Sequence, residues 1–166
     1  MELVLSKIDS PIGELVLVGS ADELCGLWFG EESEAMRAWM ARTYPGATVT
    51  SRAQPKFEAP LRAYFGGDLK AIDKLKVAPH GTPFQLRVWQ ALRRIPAGET
   101  WTYARLAKEV GNPAATRAVG AANGRNPIAL VVPCHRVVAS GGGLGGYGGG
   151  LPRKEWLLRH EGAHLA

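Results

Sequence analysis

The sequence predicts an α/β N-terminal part with a short antiparallel sheet and helices. A mainly helical C-terminal part follows, containing a helix-turn-helix and a candidate reactive cysteine. Three observations carry this reading. Apolar residues alternate with polar ones through the first 29 positions. Between Phe84 and Ala122 they recur instead at helical spacing, with breaks. Pro79 and Gly81 mark a boundary between the two patterns, giving an α/β domain over residues 1–80 and a second domain over 81–166.

Leu3, Leu5 and Ile8 alternate as in a strand, and Ser10-Pro11-Ile12-Gly13 then supplies turn chemistry. Leu15-Val16-Leu17-Val18 and Leu24-Cys25-Gly26-Leu27-Trp28-Phe29 complete three short antiparallel strands. A helix is predicted from about Glu31 to Thr43, with Ala35, Ala38 and Trp39 inward, and Pro45-Gly46 stops it. A second runs from about Ala53 to Phe65, where Phe57, Leu61, Tyr64 and Phe65 form the apolar face. Residues 68–82 read as a strand or linker.

In the second half, Phe84, Val88, Trp89, Leu92 and Ile95 define a helix that Pro96-Ala97-Gly98 breaks. Thr102 caps a helix running to about Val110, and Gly111 ends it. Asn112-Pro113 is expected to open the next helix, with Asn as cap and Pro in the first turn, reaching about Ala122. Two short helices joined this way are a helix-turn-helix pattern. Its second helix is unusually small-sided: Ala114, Ala115, Ala118, Ala121 and Ala122. Such a helix approaches a groove closely but has few side chains to read bases. A last helix covers about Arg153 to His160, with Trp156 and Leu157 as core candidates. Residues 141–150 hold eight glycines. Their place between the cysteine and the last helix favours a close-packed bend over a disordered linker.

Apolar residues make up 46% of the 166, which excludes a disordered chain. No apolar run reaches the roughly 18 residues that span a bilayer. The N-terminus lacks a signal-peptide pattern, so the cytoplasm is the expected compartment. Two cysteines cannot build a disulfide scaffold, and no compact set of ligands suggests a metal. The glycine tract lacks the Lys-Ser/Thr ending of a phosphate loop. Charge is lopsided: residues 1–80 hold 9 Lys/Arg against 11 Asp/Glu, and residues 81–166 hold 11 against 4. Nine of those 11 are Arg, the side chain that grips phosphate with two donors, so the second half is a candidate nucleic-acid surface.

Candidate chemistry centres on Pro133-Cys134-His135-Arg136. Cys134 follows the apolar run Ala129-Leu130-Val131-Val132 and reads either as a nucleophile or as a small buried hydrophobe. His135 takes the thiol proton only if its ring turns towards the sulfur. A carboxylate would then fix its tautomer, and Glu161 and Glu155 are both available. Arg117 in the small-sided helix reads as a surface ion pair or as a groove-inserted arginine. Tyr103 is a packing residue or a site residue, Asn126-Pro127 sets a turn before Cys134, and Asn123 stands near a helix end.

Pro133-Cys134-His135-Arg136-Val137-Val138 resembles the signature of the methylated-DNA–protein-cysteine methyltransferase (O6-alkylguanine-DNA alkyltransferase) family. The resemblance extends, in order, through Phe84–Trp89, Gly98–Tyr103, Gly111-Asn112-Pro113, Arg117–Gly120, Asn126-Pro127, Gly145–Gly150, Lys154–Leu158 and Glu161-Gly162. It implies direct, stoichiometric repair of O6-alkylguanine in double-stranded DNA, with O4-alkylthymine as a further substrate. Cys134 would keep the alkyl group. His135, through a water, and Glu161 would generate the thiolate; Tyr103 would assist the leaving base and Asn126 would hold the active-site turns. Arg117 would fill the gap of the flipped nucleotide, with Thr116, Ala118, Ala121 and Arg125 beside the DNA. The alkylguanine pocket would comprise Tyr103, Cys134, Val137, Tyr147, Gly148 and Gly149. Gly148 stands where some relatives carry serine. No cofactor, no metal and no protein partner are implied: a monomer in a prokaryotic cytoplasm, on the nucleoid when acting. A non-catalytic DNA-binding regulator and a small-molecule thiol transferase are the competing readings.

Overall fold

A computed structural model describes residues 1–164. The chain forms two compact units that divide between His80 and Gly81.

The first unit is built on a four-stranded sheet of order β3-β2-β1-β4. Strands β1 (Glu2–Ile8), β2 (Leu15–Ser20) and β3 (Glu23–Phe29) form the expected antiparallel meander. The turn between β1 and β2 closes through the Gly13 amide on the Ser10 carbonyl at 3.0 Å. A fourth strand, β4 (Thr48–Ser51), lies parallel to β1 and makes the sheet mixed. Four mostly exposed residues give it no alternating apolar signal. Its pairing comes from the crossover helix α1 (Glu34–Thr43), which returns the chain beside β1.

Helix α1 starts three residues later than expected, where the Ser33 hydroxyl accepts from the Met36 amide at 3.1 Å. Its buried face is Met36 and Met40, whereas Ala35 and Ala38 are exposed and Trp39 is half-buried. The long methionines reach Leu3, Leu5, Val16, Val18 and Cys25, which short alanines could not. Helix α2 (Pro55–Phe65) buries Phe57, Leu61 and Tyr64, while Phe65 is only half-buried.

In the second unit, α3 (Pro83–Leu92) begins with a reciprocal box: Thr82 Oγ1 accepts from the Gln85 amide, and Gln85 Oε1 from the Thr82 amide. It ends at Leu92, so Ile95 is buried in the turn beyond the helix. Trp101–Thr102 (β5) pairs parallel with Val137–Val138 (β6), a short ladder beside the cysteine. Thr102 caps α4 (Tyr103–Glu109) by accepting from the Arg105 amide. Helix α5 (Thr116–Gly124) starts at Thr116 rather than at Asn112-Pro113. The Asn112 amide instead reaches back to the Ala107 carbonyl at 3.0 Å past Gly111, whose φ is +84°. It closes α4 as a Schellman cap, and residues 112–115 turn between the helices. The Trp89 indole donates to the Ala122 carbonyl at 2.8 Å and pins α5 to α3. Helix α6 (Leu151–His160) buries Lys154, Leu157 and Leu158. Trp156 is half-buried and stacks on the His160 ring.

Candidate active site

The run before Cys134 is a compact turn. Asn126 Oδ1 accepts from the Ile128 amide at 3.0 Å, and Asn126 Nδ2 donates to the Val132 carbonyl at 2.7 Å. One side chain therefore satisfies both ends of the loop. Leu130 adopts φ +74°, a conformation that strains a residue with a Cβ, and stays buried there. The apolar side chains 128 and 130–132 are all buried, which ties this backbone path to the core.

The path delivers Cys134 to a single 3-10 turn, Cys134–Arg136, that is buried throughout. Cys134 is 6% exposed. Burial pushes its thiol up, against the Asn126 side-chain amide, the Lys154 charge and the amides of Cys134 and His135. Asn123, on the buried face of α5, donates from Nδ2 to the Cys134 carbonyl at 3.4 Å. The Cys134 backbone is thus linked to the second helix of the helix-turn-helix.

Between the two candidate carboxylates, the structure selects Glu161. Its Oε2 lies 2.8 Å from His135 Nε2, and both side chains are fully buried. Glu155 instead pairs with Arg159 one turn along α6. Arg136 grips Glu161 with both edges, Nε to Oε1 at 2.8 Å and Nη2 to Oε2 at 2.9 Å, and gives Nη1 to the Ile95 carbonyl at 2.7 Å. Burial pushes the Glu161 carboxyl up. Hydrogen bonds from His135 and Arg136, with the Arg136 charge, outweigh it and hold the group ionised, well below the usual range. Burial pushes His135 down against the pull of Glu161, so the ring is neutral at pH 7. An ionised carboxylate only accepts, so Nε2 carries the hydrogen and Nδ1 keeps a lone pair. Nδ1 is buried and has no hydrogen-bond partner among the described residues. The arrangement leaves a base site on the residue next to the thiol.

Tyr103 opens α4, half-buried, against the glycine tract. Burial and charge on Cys134 push its hydroxyl up, and the Gly146 amide opposes them by hydrogen-bonding that oxygen. Gly145 has φ +75°, and a Cβ on it would lie 2.9 Å from the Tyr103 oxygen. Position 145 is glycine because the backbone there lies directly on the tyrosine. Val137 is buried, Tyr147 and Gly149 are half-buried, and Gly148 is exposed. The Gly149 carbonyl accepts from Arg153 at 3.0 Å.

The remaining predicted residues face outward. On α5 and its end, Thr116, Arg117, Ala118, Ala121 and Arg125 are exposed, while Val119, Ala122 and Asn123 are buried. No carboxylate pairs with Arg117 among the described residues, so it is not the surface ion pair that the sequence allowed. Gly120 faces the Tyr103 ring, placing this small-sided helix beside the site.

Sequence reasoning missed two residues. Arg136 stands inside the Pro133–Val138 signature, is 3% exposed, and carries no local signal of burial in a half where eleven bases meet four acids. Lys154 is wholly buried, donating to the Val137 carbonyl at 2.6 Å and the Gly146 carbonyl at 3.1 Å. Nothing in the helical spacing around it signals a buried cation.

Residues 83–163 match the family model described as 6-O-methylguanine DNA methyltransferase, DNA binding domain. The chain is similar to a methylated-DNA–protein-cysteine methyltransferase of Shigella flexneri, 46% identical over 98% of this chain and 97% of the relative. A protein of that name from Methanosarcina acetivorans is 46% identical over 93% and 96%. Among solved structures, Mycobacterium tuberculosis OGT in complex with DNA superposes with a TM-score of 0.81 at 42% identity, covering 96% of this chain and 92% of that one.

Proposed function

The chain belongs to the methylated-DNA–protein-cysteine methyltransferase family, whose members move an alkyl group irreversibly onto a cysteine of the protein itself, and on that premise we propose that Cys134 is the acceptor in this chain. Each molecule acts once. The observation that carries the assignment is the buried relay beside the thiol: Arg136 to Glu161 to His135 Nε2, with Nδ1 left open to a proton. The other cysteine, Cys25, is buried within the first unit.

The substrate is O6-alkylguanine in duplex DNA. The thiol proton passes to His135 Nδ1, through a water where the two do not meet directly. The thiolate attacks the alkyl carbon in line, an S–C bond forms and the C–O6 bond breaks. The electron pair leaves with guanine, and Tyr103 donates a proton to the base as charge develops on it. Return of the His135 proton to the phenolate closes the balance. The thioether that remains has no leaving group of comparable ease, so turnover stops.

A stacked base cannot reach a sulfur this buried. Extruding it costs a few kcal/mol, less for a damaged pair. The alanine-rich exposed face of α5 lets backbone approach the groove closely, and Arg117 is free to take the vacated place. Phosphate contacts from the basic half offset part of the cost. O4-alkylthymine is a second substrate of the same chemistry, and the cytoplasmic nucleoid is the place of action.

Incubation with duplex DNA carrying one O6-methylguanine, followed by intact-protein and peptide mass spectrometry, tests this. One methyl should appear on Cys134, once per molecule, and none on Cys134→Ala. Restored guanine with Cys134 unmodified, or many turnovers per molecule, overturns the reading. Lesion binding without transfer by the intact chain leaves the regulator reading in its place.

A further inference from the structure

The chemistry above makes no use of Lys154. Its ammonium is wholly buried, held by the Val137 and Gly146 carbonyls, and among the described residues no carboxylate pairs with it. The two acids near this end of the chain are engaged elsewhere, Glu155 with Arg159 and Glu161 with Arg136 and His135. A buried charge with no counter-charge is strongly disfavoured, and neutral carbonyls compensate it only in part. Its charge acts on Cys134 and on His135, and of the two only Cys134 becomes negative in the chemistry above.

We propose that Lys154 is the counter-cation of the Cys134 thiolate: fixed by the Val137 and Gly146 carbonyls, its charge stabilises the negative sulfur and sets how much nucleophile exists near neutral pH. It acts through the charge on sulfur and is an electrostatic positioning residue. The inference rests on Cys134 as the acceptor, but it reads out without DNA.

The other groups around the pair do not supply this charge. His135 on the 3-10 turn is neutral because burial pushes it down, Arg136 on the same turn is matched by Glu161 beyond α6, and Tyr103 on α4 is pushed up and stays a neutral phenol. Burial pushes Lys154 down to about 8, against the pull of Cys134, so the two titrations are coupled. Loss of the thiol proton gives an S⁻/NH₃⁺ pair. Without the ammonium, the same loss leaves an isolated buried thiolate and requires a higher pH.

The test compares wild-type protein with Lys154→Met and Lys154→Gln. Each is alkylated with iodoacetamide from about pH 6 to about pH 10, the span that brackets free cysteine and approaches free lysine. Labelling of the Cys134 peptide is followed by mass spectrometry. Cys25, buried in the first unit, is the internal control, and circular dichroism checks the fold. In both variants the Cys134 midpoint should move up by about one unit, so that labelling near pH 7 falls about tenfold and recovers at high pH, with Cys25 unchanged. An unmoved midpoint overturns the inference. So does a uniform loss at every pH, which marks a merely structural tether. If Lys154→Gln, which keeps hydrogen-bonding capacity without charge, behaves like wild type, charge is not the cause. Failure of wild-type protein to take a methyl from DNA would overturn the acceptor assignment and leave this midpoint comparison standing.

Discussion

Replacing Glu161 with glutamine removes one charge from a cluster whose side chains are almost wholly shielded from solvent. Glu161 accepts from His135 Nε2, Arg136 Nε and Arg136 Nη2 at 2.8, 2.8 and 2.9 Å, and its side chain is fully buried. Glutamine has one carbonyl for these three donors, and its NH₂ group faces a donor. Arg136 is then a buried cation with no anion. Breaking a buried pair from one side costs about 3–5 kcal/mol. If the unit unfolds as a domain of some 60–100 residues, each kcal/mol shifts its Tm by roughly 4–8 °C, so the loss is at least about 12 °C. Thermal and urea unfolding followed by circular dichroism measure it. A second loss accompanies the first. Without the carboxylate, the His135 hydrogen is no longer held on Nε2, and single-turnover transfer should slow by about 10²-fold or more, the low end of what general-base assistance contributes. Adding Arg136→Met removes the stranded cation and should recover a large part of the stability, while transfer stays slow. A Glu161→Gln change costing under about 1 kcal/mol, as for an exposed pair, would refute the reasoning. So would a double variant no more stable than the single one.

Arg117→Ala should slow transfer from duplex DNA by at least about tenfold, on the premise that filling the vacated stack is worth a kcal/mol or more. Transfer from free O6-benzylguanine should change little, and equal losses on both substrates would count against the role. Tyr103→Phe should lower the single-turnover rate by about 10²-fold, as expected for a lost general acid, and rapid-quench assays at saturating DNA will show it. Gly145→Ala places a methyl 2.9 Å from the Tyr103 oxygen at φ +75°, so both stability and transfer should fall, and an unchanged rate would mean that the tract moves aside freely. Acid should destabilise the fold in two stages. Below the ordinary 6.5 of histidine, unfolded His135 binds a proton that the depressed folded ring does not. Below the ordinary 4.5 of Glu161, stability is lost progressively as pH falls towards its depressed folded value. Unfolding free energies between pH 7 and pH 3 will show the loss, and in Glu161→Gln the lower stage should be absent.

The sequence determined much of this protein, for reasons of local physics. Alternation in β1 to β3, apolar spacing in α2 and α3, and the cap at Thr102 are written within a few residues of where they act. The order of short signatures around Cys134 named the family before any coordinate did. The failures share one origin. β4 has no pattern of its own because its partner β1 lies far back in the chain. The start of α5 moved because the Asn112 amide was already committed to Ala107 in the helix before. Spacing alone left Glu161 and Glu155 open; the family resemblance pointed to Glu161, and the direction in which α6 ends supplies the physical reason. Arg136 and Lys154 look like ordinary surface bases in a basic half. Burial, which no run of neighbours in the chain encodes, is what turns one into the clamp on a carboxylate and the other into a charge waiting for a sulfur.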